Sequence, residues 1–126
     1  MQVPDIPEMA QARKSNGLED SLTDKYLVLV TCGNAIEAKR IARAVVDARL
    51  AACVNILPGE VTSIYRWKGK VQTAQEKFLL IKTSRKRLAK LQAAVERIHS
   101  YDVPEFIALP IAAGSRGYLA WLEEVL

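Results

Sequence analysis

From residue 26 onward, the apolar and polar positions follow strand-like and helix-like patterns in turn. The continuous apolar run at 26–31 is typical of a strand buried on both faces. The next apolar residues recur at i, i+3, i+4 and i+7, as on the buried side of a helix: Ala38, Ile41, Ala42 and Val45. Asn34 can cap this helix, with Glu37 three residues later as in a capping box. Segment 52–57 then predicts a second strand.

A hairpin follows the second strand. Pro58 and Gly59 interrupt that strand, and because proline cannot donate to a sheet ladder we expect an edge, a bulge or a bend there. The pattern resumes at 61–67, turns at 68–70 and returns through 71–83, which predicts two antiparallel strands.

The last third of the chain predicts a helix, a strand and a short helix. Ser84 can cap the first of these helices, whose apolar stripe is Leu88, Leu91, Val95 and Ile98. A fourth main strand is expected from Val103 to Ile111, with Pro104 near its start. The terminal helix begins at about Ser115.

The order β-α-β-β-α-β with a terminal helix predicts an α+β fold of the ferredoxin-like type, an antiparallel sheet with two helices on one face. Residues 1–24 show little periodicity, so we predict a flexible tail at 1–24 and one domain at 25–126. Two helices leave the other sheet face uncovered, although the segment KFLLIK is apolar at four successive positions. An exposed apolar face usually marks an interface, so we expect a symmetric oligomer.

Composition and charge narrow the class of protein. The chain has 126 residues, of which 50% are hydrophobic and 25% charged, with a formal net charge of +4. This mildly basic balance permits an anionic partner without requiring one. No apolar run approaches the ~18 residues that span a bilayer, so we expect no membrane partner. The first 24 residues include five acidic ones and no apolar leader segment, and we therefore predict a cytoplasmic location.

Four blocks of sequence resemble the CutA family of divalent-cation tolerance proteins. They read RLAACVN, TSIYRWKGKV, FLLIKTS and IHSYDVPEFIALPI, the last followed by YLAWL, and they cover the chain from Tyr26 to Leu126. The resemblance implies a ferredoxin-like homotrimer in the cytoplasm, linked to tolerance of copper and other divalent metals. It also implies a likeness to PII signalling proteins, which suggests a trimeric sensor of a small anionic ligand at clefts between subunits as the alternative function. No enzymatic reaction is implied.

The resemblance also indicates site residues. Cys53 and His99 match the family's metal-ligand positions, and Cys32 lies two positions after a family cysteine that is Val30 here. Five residues match characteristic positions that would line a ligand cleft: Tyr65, Trp67, Lys82, Glu105 and Trp121.

Thiolate and imidazole ligands suit copper or zinc, but a closed structural site needs four ligands. Cys32, Cys53 and His99 are too few and too far apart in sequence for a complete site within one chain. The sequence leaves open a partial site of Cys53 and His99, to which Glu105 or a neighbouring subunit would add a ligand. Buried, inert cysteines are the alternative. We expect no obligatory cofactor. Copper or another divalent cation is the metal ion that we expect the protein to be able to bind.

Two other classes of function have less support. A thiolate–imidazolium pair of Cys53 and His99, oriented by Asp102 or Glu105, would make an enzyme, but the sequence carries no known nucleophile motif. A ferredoxin-like sheet can stack RNA bases on aromatics, yet the RNA-binding signature of such sheets is absent, so we expect no nucleic acid.

We also expect Lys82 to pair with Glu105 on the final strand.

Overall fold

The computed structural model describes residues 23–126 and the backbone of residues 18–19. Its main sheet has five strands: β2 Lys25–Cys32, β3 Cys53–Ile56, β4 Val61–Trp67, β5 Lys70–Ser84 and β6 Ile107–Pro110. The helices are α1 Ala35–Asp47, α2 Arg85–Ile98 and α3 Arg116–Val125. Two short strands, β1 Leu18–Glu19 and β7 Gly114–Ser115, pair with each other. Apart from β1 and β7, the element order matches the prediction.

The sheet is antiparallel throughout and has the order β3-β5-β2-β6, with β4 also paired to β5. This is the ferredoxin-like arrangement, and it confirms the predicted fold class. The break predicted at Pro58 and Gly59 separates β3 from β4. Ile56 pairs with Leu79 and Val61 pairs with Glu76, so four residues on one strand face two on the other. This bulge divides β5 between the sheet and the hairpin.

The hairpin turn is made by Lys68 and Gly69, which join β4 to β5. Both have positive φ, 50° and 80° respectively. Positive φ at both central residues is the requirement of a type I′ turn, whose twist matches that of the flanking strands. The turn was predicted at 68–70.

The helix starts were predicted only in part. Asn34 Oδ1 accepts the Glu37 N–H at 2.8 Å, which confirms the cap of α1. The carboxylate of Glu37 does not return to Asn34 and lies elsewhere in the structure. Ser84 occupies the N-cap position of α2 but makes no capping bond with its side chain. The Arg85 N–H instead donates to the Asp24 carbonyl at 2.8 Å.

The core lies between one face of the sheet and helices α1 and α2. Alternate residues of β2 and β5 point into it and are fully buried: Val28, Val30, Cys32, Leu79 and Ile81. The helices contribute Ile41, Val45, Leu91 and Val95, which are also fully buried. The helical spacing seen in the sequence therefore marked the buried side of each helix correctly.

Among the described residues, the opposite face of the sheet is covered only at one end, by α3. Lys25, Cys53 and Lys82 alternate with core-facing residues, and each contacts α3 through Glu123 or Tyr118. Away from α3 this face carries a group of apolar residues that we call the open face: Leu27, Leu29, Phe78, Leu80, Ile107 and Leu109. Ile107 and Leu109 are 48% and 44% exposed. One chain therefore leaves the apolar surface that the sequence indicated.

One predicted strand boundary differs from the structure. The final strand β6 begins at Ile107 rather than at Val103. Residues 99–105 instead form the turn that brings His99 against β2. Of the tail predicted at residues 1–24, Leu18–Glu19 pairs with Gly114–Ser115, and the Thr23 N–H donates to the Ile111 carbonyl at 3.2 Å. The rest of that prediction lies outside the described residues.

We expect Asn34→Ala to lower the free energy of unfolding by about 1 kcal/mol, the usual effect of losing a helix cap. Urea denaturation followed by circular dichroism measures the change. Asn34→Asp is the matched control, because aspartate accepts the same N–H bond. An equal loss in the control would contradict the assignment.

Candidate functional site

The residues singled out from the sequence fall in three places. We call the first the histidine corner; it consists of Glu37, His99, Tyr101 and Glu76, at the junction of α1, α2 and β5. The second is the tyrosine cluster, formed by Cys53, Lys82, Tyr118 and Asn55 at the opposite end of the sheet. The third is the hairpin, with Tyr65 and Trp67 half-exposed on one face.

His99 ends helix α2, and its side chain is fully buried. Its Nε2 lies 2.7 Å from the Thr31 carbonyl, and its Nδ1 accepts the Tyr101 N–H at 3.1 Å. A carbonyl can only accept, so Nε2 carries the proton and the ring is the neutral tautomer. Both nitrogens are therefore occupied, and neither is open to a metal ion.

Glu37 holds the two helices of the corner together. Its Oε2 accepts the Ser100 N–H at 2.7 Å, and its Oε1 accepts the Gly33 N–H at 3.3 Å. Burial by itself would raise the pKa of this carboxyl, but the hydrogen bonds from Ser100 and Gly33 outweigh it and lower the pKa below its ordinary value. Glu37 is thus an ionised, buried carboxylate with a structural task.

Two further carboxylates, those of Glu76 and Glu105, interact electrostatically in the region of Tyr101. The Tyr101 hydroxyl donates to Glu76 Oε2 at 2.9 Å, and burial together with this bond raises the pKa of Tyr101 to about 12. Burial, and then the charge of Glu76, raise the pKa of Glu105. The corner is therefore acidic, with a neutral histidine and a neutral tyrosine between the carboxylates.

Cys32 lies in the core beside the histidine corner. Its thiol is fully buried and lies 3.6 Å from the Asn34 carbonyl. Burial, followed by the charge of Glu37, raises the pKa of Cys32 to about 11. A thiol that resists ionisation is a poor metal ligand, because the thiolate is the ligand form.

The tyrosine cluster contains the second thiol, and this one is only half-buried. Cys53 Sγ lies 3.7 Å from the Tyr118 hydroxyl. Lys82 Nζ donates to the same hydroxyl at 3.2 Å and to Asn55 Oδ1 at 3.0 Å. Burial, and then the contact with Cys53, raise the pKa of Tyr118. The predicted pair of Lys82 with Glu105 was wrong: β6 pairs with β2 rather than with β5, and Glu105 precedes it.

One chain does not bring Cys53 and His99 together. Cys53 pairs with Lys82 of β5, whereas Thr31, whose carbonyl His99 contacts, pairs with Phe78. Four residues of β5 correspond to about 13 Å, and β2 and β3 lie on opposite sides of β5, about 10 Å apart. Within the part of the chain that the structure describes, no three His, Cys, Asp or Glu side chains are grouped to hold a metal ion.

The five residues predicted for a ligand cleft are also spread out. Tyr65 pairs with Gln72, ten residues along β5 from Lys82, which corresponds to about 33 Å. Trp121 is buried in a small apolar cluster with Ala52, Leu119 and Leu122. Of the five, Tyr65 and Glu105 lie near the histidine corner. Tyr65 contributes to the raised pKa of Tyr101, and Glu76 contributes to the raised pKa of Glu105.

Comparison with known proteins agrees with the fold and the sequence blocks. The family model of the CutA1 divalent ion tolerance protein matches residues 26–125. The chain belongs to the CutA1 family. It is 53% identical over 98 residues to the divalent-cation tolerance protein CutA of Thermus thermophilus, covering 78% of this chain and 94% of that protein. The solved structure of the Thermus thermophilus protein superposes with a TM-score of 0.77 at 52% identity, over 79% of this chain and 96% of that one.

CutA relatives also differ in length and in the location that their names give. The chain is 50% identical over 97 residues to the chloroplastic protein CutA of Arabidopsis thaliana. The match covers 77% of this chain but 53% of that protein, so this chain spans about half the length of that relative. In the described residues of this CutA1 family member, no helix is long and apolar enough to cross a membrane.

Sequence reasoning did not identify Glu76 or Tyr118 as site residues. Glu76 falls on the same face of β5 as Phe78 and Leu80, so an acid in line with the apolar residues of the open face was the available signal. Tyr118 belongs to the largely apolar segment YLAWL, where only its hydroxyl hinted at a polar partner. Its contacts with Cys53 and Lys82 depend on where α3 packs, which local patterns do not show.

We expect Glu37→Gln to lower the free energy of unfolding by about 1–3 kcal/mol at pH 7, because buried hydrogen bonds to a charged group are weakened. The pKa of Glu37 is lowered in the folded protein, so its contribution is present above the unfolded pKa of ~4.3 and is lost as the pH falls through the folded value. Urea denaturation at pH 7 and pH 3 measures both effects.

The control for this experiment is Glu96→Gln, which changes an exposed acid on α2 whose carboxylate accepts a hydrogen bond from Gln92. The control should change the free energy of unfolding little at either pH. A Glu37→Gln deficit that is equally large at pH 3 would show that the charge of Glu37 is not the cause.

Proposed function

We propose that this protein is a non-catalytic, cytoplasmic homotrimer that contributes to tolerance of divalent cations by binding a metal ion, copper first among them, between its subunits. Membership of the CutA1 family supports the role in divalent-ion tolerance. The observation that carries the metal proposal is the half-buried thiol of Cys53 beside the uncovered open face. Two free cysteines suit a reducing compartment.

The open face supports assembly through a second copy of the chain. Its residues lie in adjacent rows across the sheet: Leu29 pairs with Leu80 and Ile107, and Leu27 pairs with Leu109. A contiguous apolar surface of this kind is stabilised when it is removed from water. The hairpin extends beyond the sheet and carries Tyr65 and Trp67 outward, so it can reach a neighbouring subunit.

Assembly also supports a site that is complete only between subunits. The tyrosine cluster lies about 33 Å from Tyr65 within one chain, so the predicted cleft residues can meet only if a neighbour supplies part of the set.

Of the three predicted ligands, Cys53 is the best placed. Among the described residues, its side chain makes a long polar contact of 3.7 Å with the Tyr118 hydroxyl. By contrast, metal binding by His99 would break one of two short hydrogen bonds, and binding by Cys32 would require a buried thiol of pKa about 11 to ionise. We therefore place Cys53 at the proposed site and assign neither His99 nor Cys32 to it.

Light scattering on the purified protein should give the mass of three chains. Ile107→Asp should lower that mass toward one chain, because a carboxylate on the open face cannot be desolvated in an apolar interface. Ile36→Asp is the matched control: Ile36 is 79% exposed on α1, on the far side of the sheet. A monomeric wild-type protein, or an unchanged mass for Ile107→Asp, would contradict the proposed interface.

Calorimetric titration with Cu(II) and Zn(II) tests the metal ligand. We expect Cys53→Ala to weaken binding by about 100-fold or more, since loss of even an outer-shell partner costs about 10–100-fold. Cys32→Ala should leave the affinity unchanged and serves as the control for removing a thiol. If Cys53→Ala binds copper as the wild type does, Cys53 is not a ligand.

The second candidate is a PII-like trimeric sensor of a small anionic ligand at the clefts between subunits. The observation that favours it is Lys82, whose ammonium contacts the neutral oxygens of Asn55 and Tyr118 and forms no ion pair within the described residues. A cation without a carboxylate partner is suited to an anion. Titration with ATP distinguishes the two: binding that Lys82→Gln abolishes and Cys53→Ala does not would favour the sensor.

A further inference from the structure

The outer side of the helical layer of this protein carries a net positive charge. Residues 1–22 carry four acidic and two basic side chains, so residues 23–126 have a formal charge of +6. Helices α1 and α2 expose six cations on the side away from the sheet, which we call the basic helix face: Lys39, Arg40, Arg43, Lys86, Lys90 and Arg97. The exposed acids of the same two helices are Asp47 and Glu96.

The cations of the basic helix face are not neutralised locally. None of the six forms an ion pair in the part of the chain that the structure describes. Glu96, the nearest acid in sequence to Arg97, accepts a hydrogen bond from Gln92 instead. Neighbouring like charges raise the local potential, which attracts anions.

The position of Lys86 lowers the stability of helix α2. It lies in the first turn of α2, where the positive end of the helix dipole disfavours a cation, and no acidic residue occupies that turn. A local choice that opposes helix stability is expected where the residue serves another purpose.

We propose that the basic helix face binds the phosphate backbone of a nucleic acid duplex without reading its sequence. Helices of 13 and 14 residues are about 20 Å long, and packed neighbours lie about 8–10 Å apart, so the six cations cover a surface of duplex dimensions. A duplex carries one negative charge per ~1.7 Å of axis, so each cation can find a phosphate. The small exposed residues Ala89 and Ala93 allow close approach.

An anionic membrane fits this surface less well than a duplex. A helix that lies on a bilayer inserts an apolar face into it, together with its basic residues. Here the strongly exposed apolar residue of the two helices is Ile36, at one end of α1. The sequence-based expectation of no nucleic acid concerned base stacking on the sheet, whereas phosphate contacts need only cations on the helices.

The basic helix face lies across the sheet from the open face. Binding of a duplex therefore competes neither with assembly through the open face nor with a ligand at Cys53. The inference is independent of the proposed function and can hold or fail separately from it.

The test is fluorescence anisotropy with a labelled 24-base-pair duplex DNA of random sequence and an RNA duplex of the same sequence, at 50–200 mM salt. We expect a Kd of about 10⁻⁴–10⁻⁶ M that rises steeply with salt. The triple variant Arg43→Gln/Lys86→Gln/Lys90→Gln should weaken binding about tenfold or more and reduce the salt slope by about 3, about 1 for each phosphate contact.

The matched control removes three cations from the hairpin: Arg66→Gln/Lys68→Gln/Lys70→Gln. It has the same net charge as the test variant. We expect it to retain wild-type affinity within about threefold, because its three cations lie outside the basic helix face and contribute only through long-range attraction. Circular dichroism checks that both variants are folded.

Several results would overturn the proposal. Equal weakening by the two triple variants would show a net-charge effect rather than a binding face. Absence of binding at 50 mM salt would exclude the interaction. Equal affinity for polyglutamate of matched charge, or binding to vesicles with 30% phosphatidylserine but not to the duplexes, would assign the face to a different class of partner.

Discussion

Backbone pairing along β5 is the constraint on which the rest of this structure depends. This single strand of 15 residues pairs with β2, β3 and β4, and its register with each decides which side chains share a face. Leu79 and Ile81 enter the core because of it, while Phe78 and Leu80 are left on the open face. A slip of one residue would exchange the two sets. The separation of Cys53 from His99 is another result of this register, since each is placed by a neighbour of β5.

Local patterns predicted the elements well because the relevant interactions are local. The apolar run at 26–31, the cap at Asn34 and the turn at Lys68 and Gly69 involve residues close in sequence. The partners of Lys82 were not predictable in that way. They depend on strand order and on where α3 packs, so a plausible pair with Glu105 was chosen over the real contacts with Asn55 and Tyr118.

Tertiary contacts also determine which of the predicted site residues are available for chemistry. His99 was recognised as chemically interesting because it is the one histidine of the sequence. In the structure its Nε2 fastens the end of α2 to the Thr31 carbonyl of β2, and its Nδ1 accepts the Tyr101 N–H. Its partner Glu37 was visible in the sequence only as a capping residue. Whether a polar residue is free for chemistry depends on tertiary hydrogen bonds, and these cannot be read from spacing alone.

The hairpin has a consequence for local stability. Beyond the bulge at Gly59, β4 and the first part of β5 pair chiefly with each other, and most of their side chains are exposed. A two-stranded ribbon without a covered face is marginal in water. Amide protons at the tip should therefore exchange by local opening, far faster than those of β2, in a lone chain. Any surface that packs against the ribbon would slow this exchange. The exchange rate of the hairpin amides therefore shows whether another surface is packed against the hairpin.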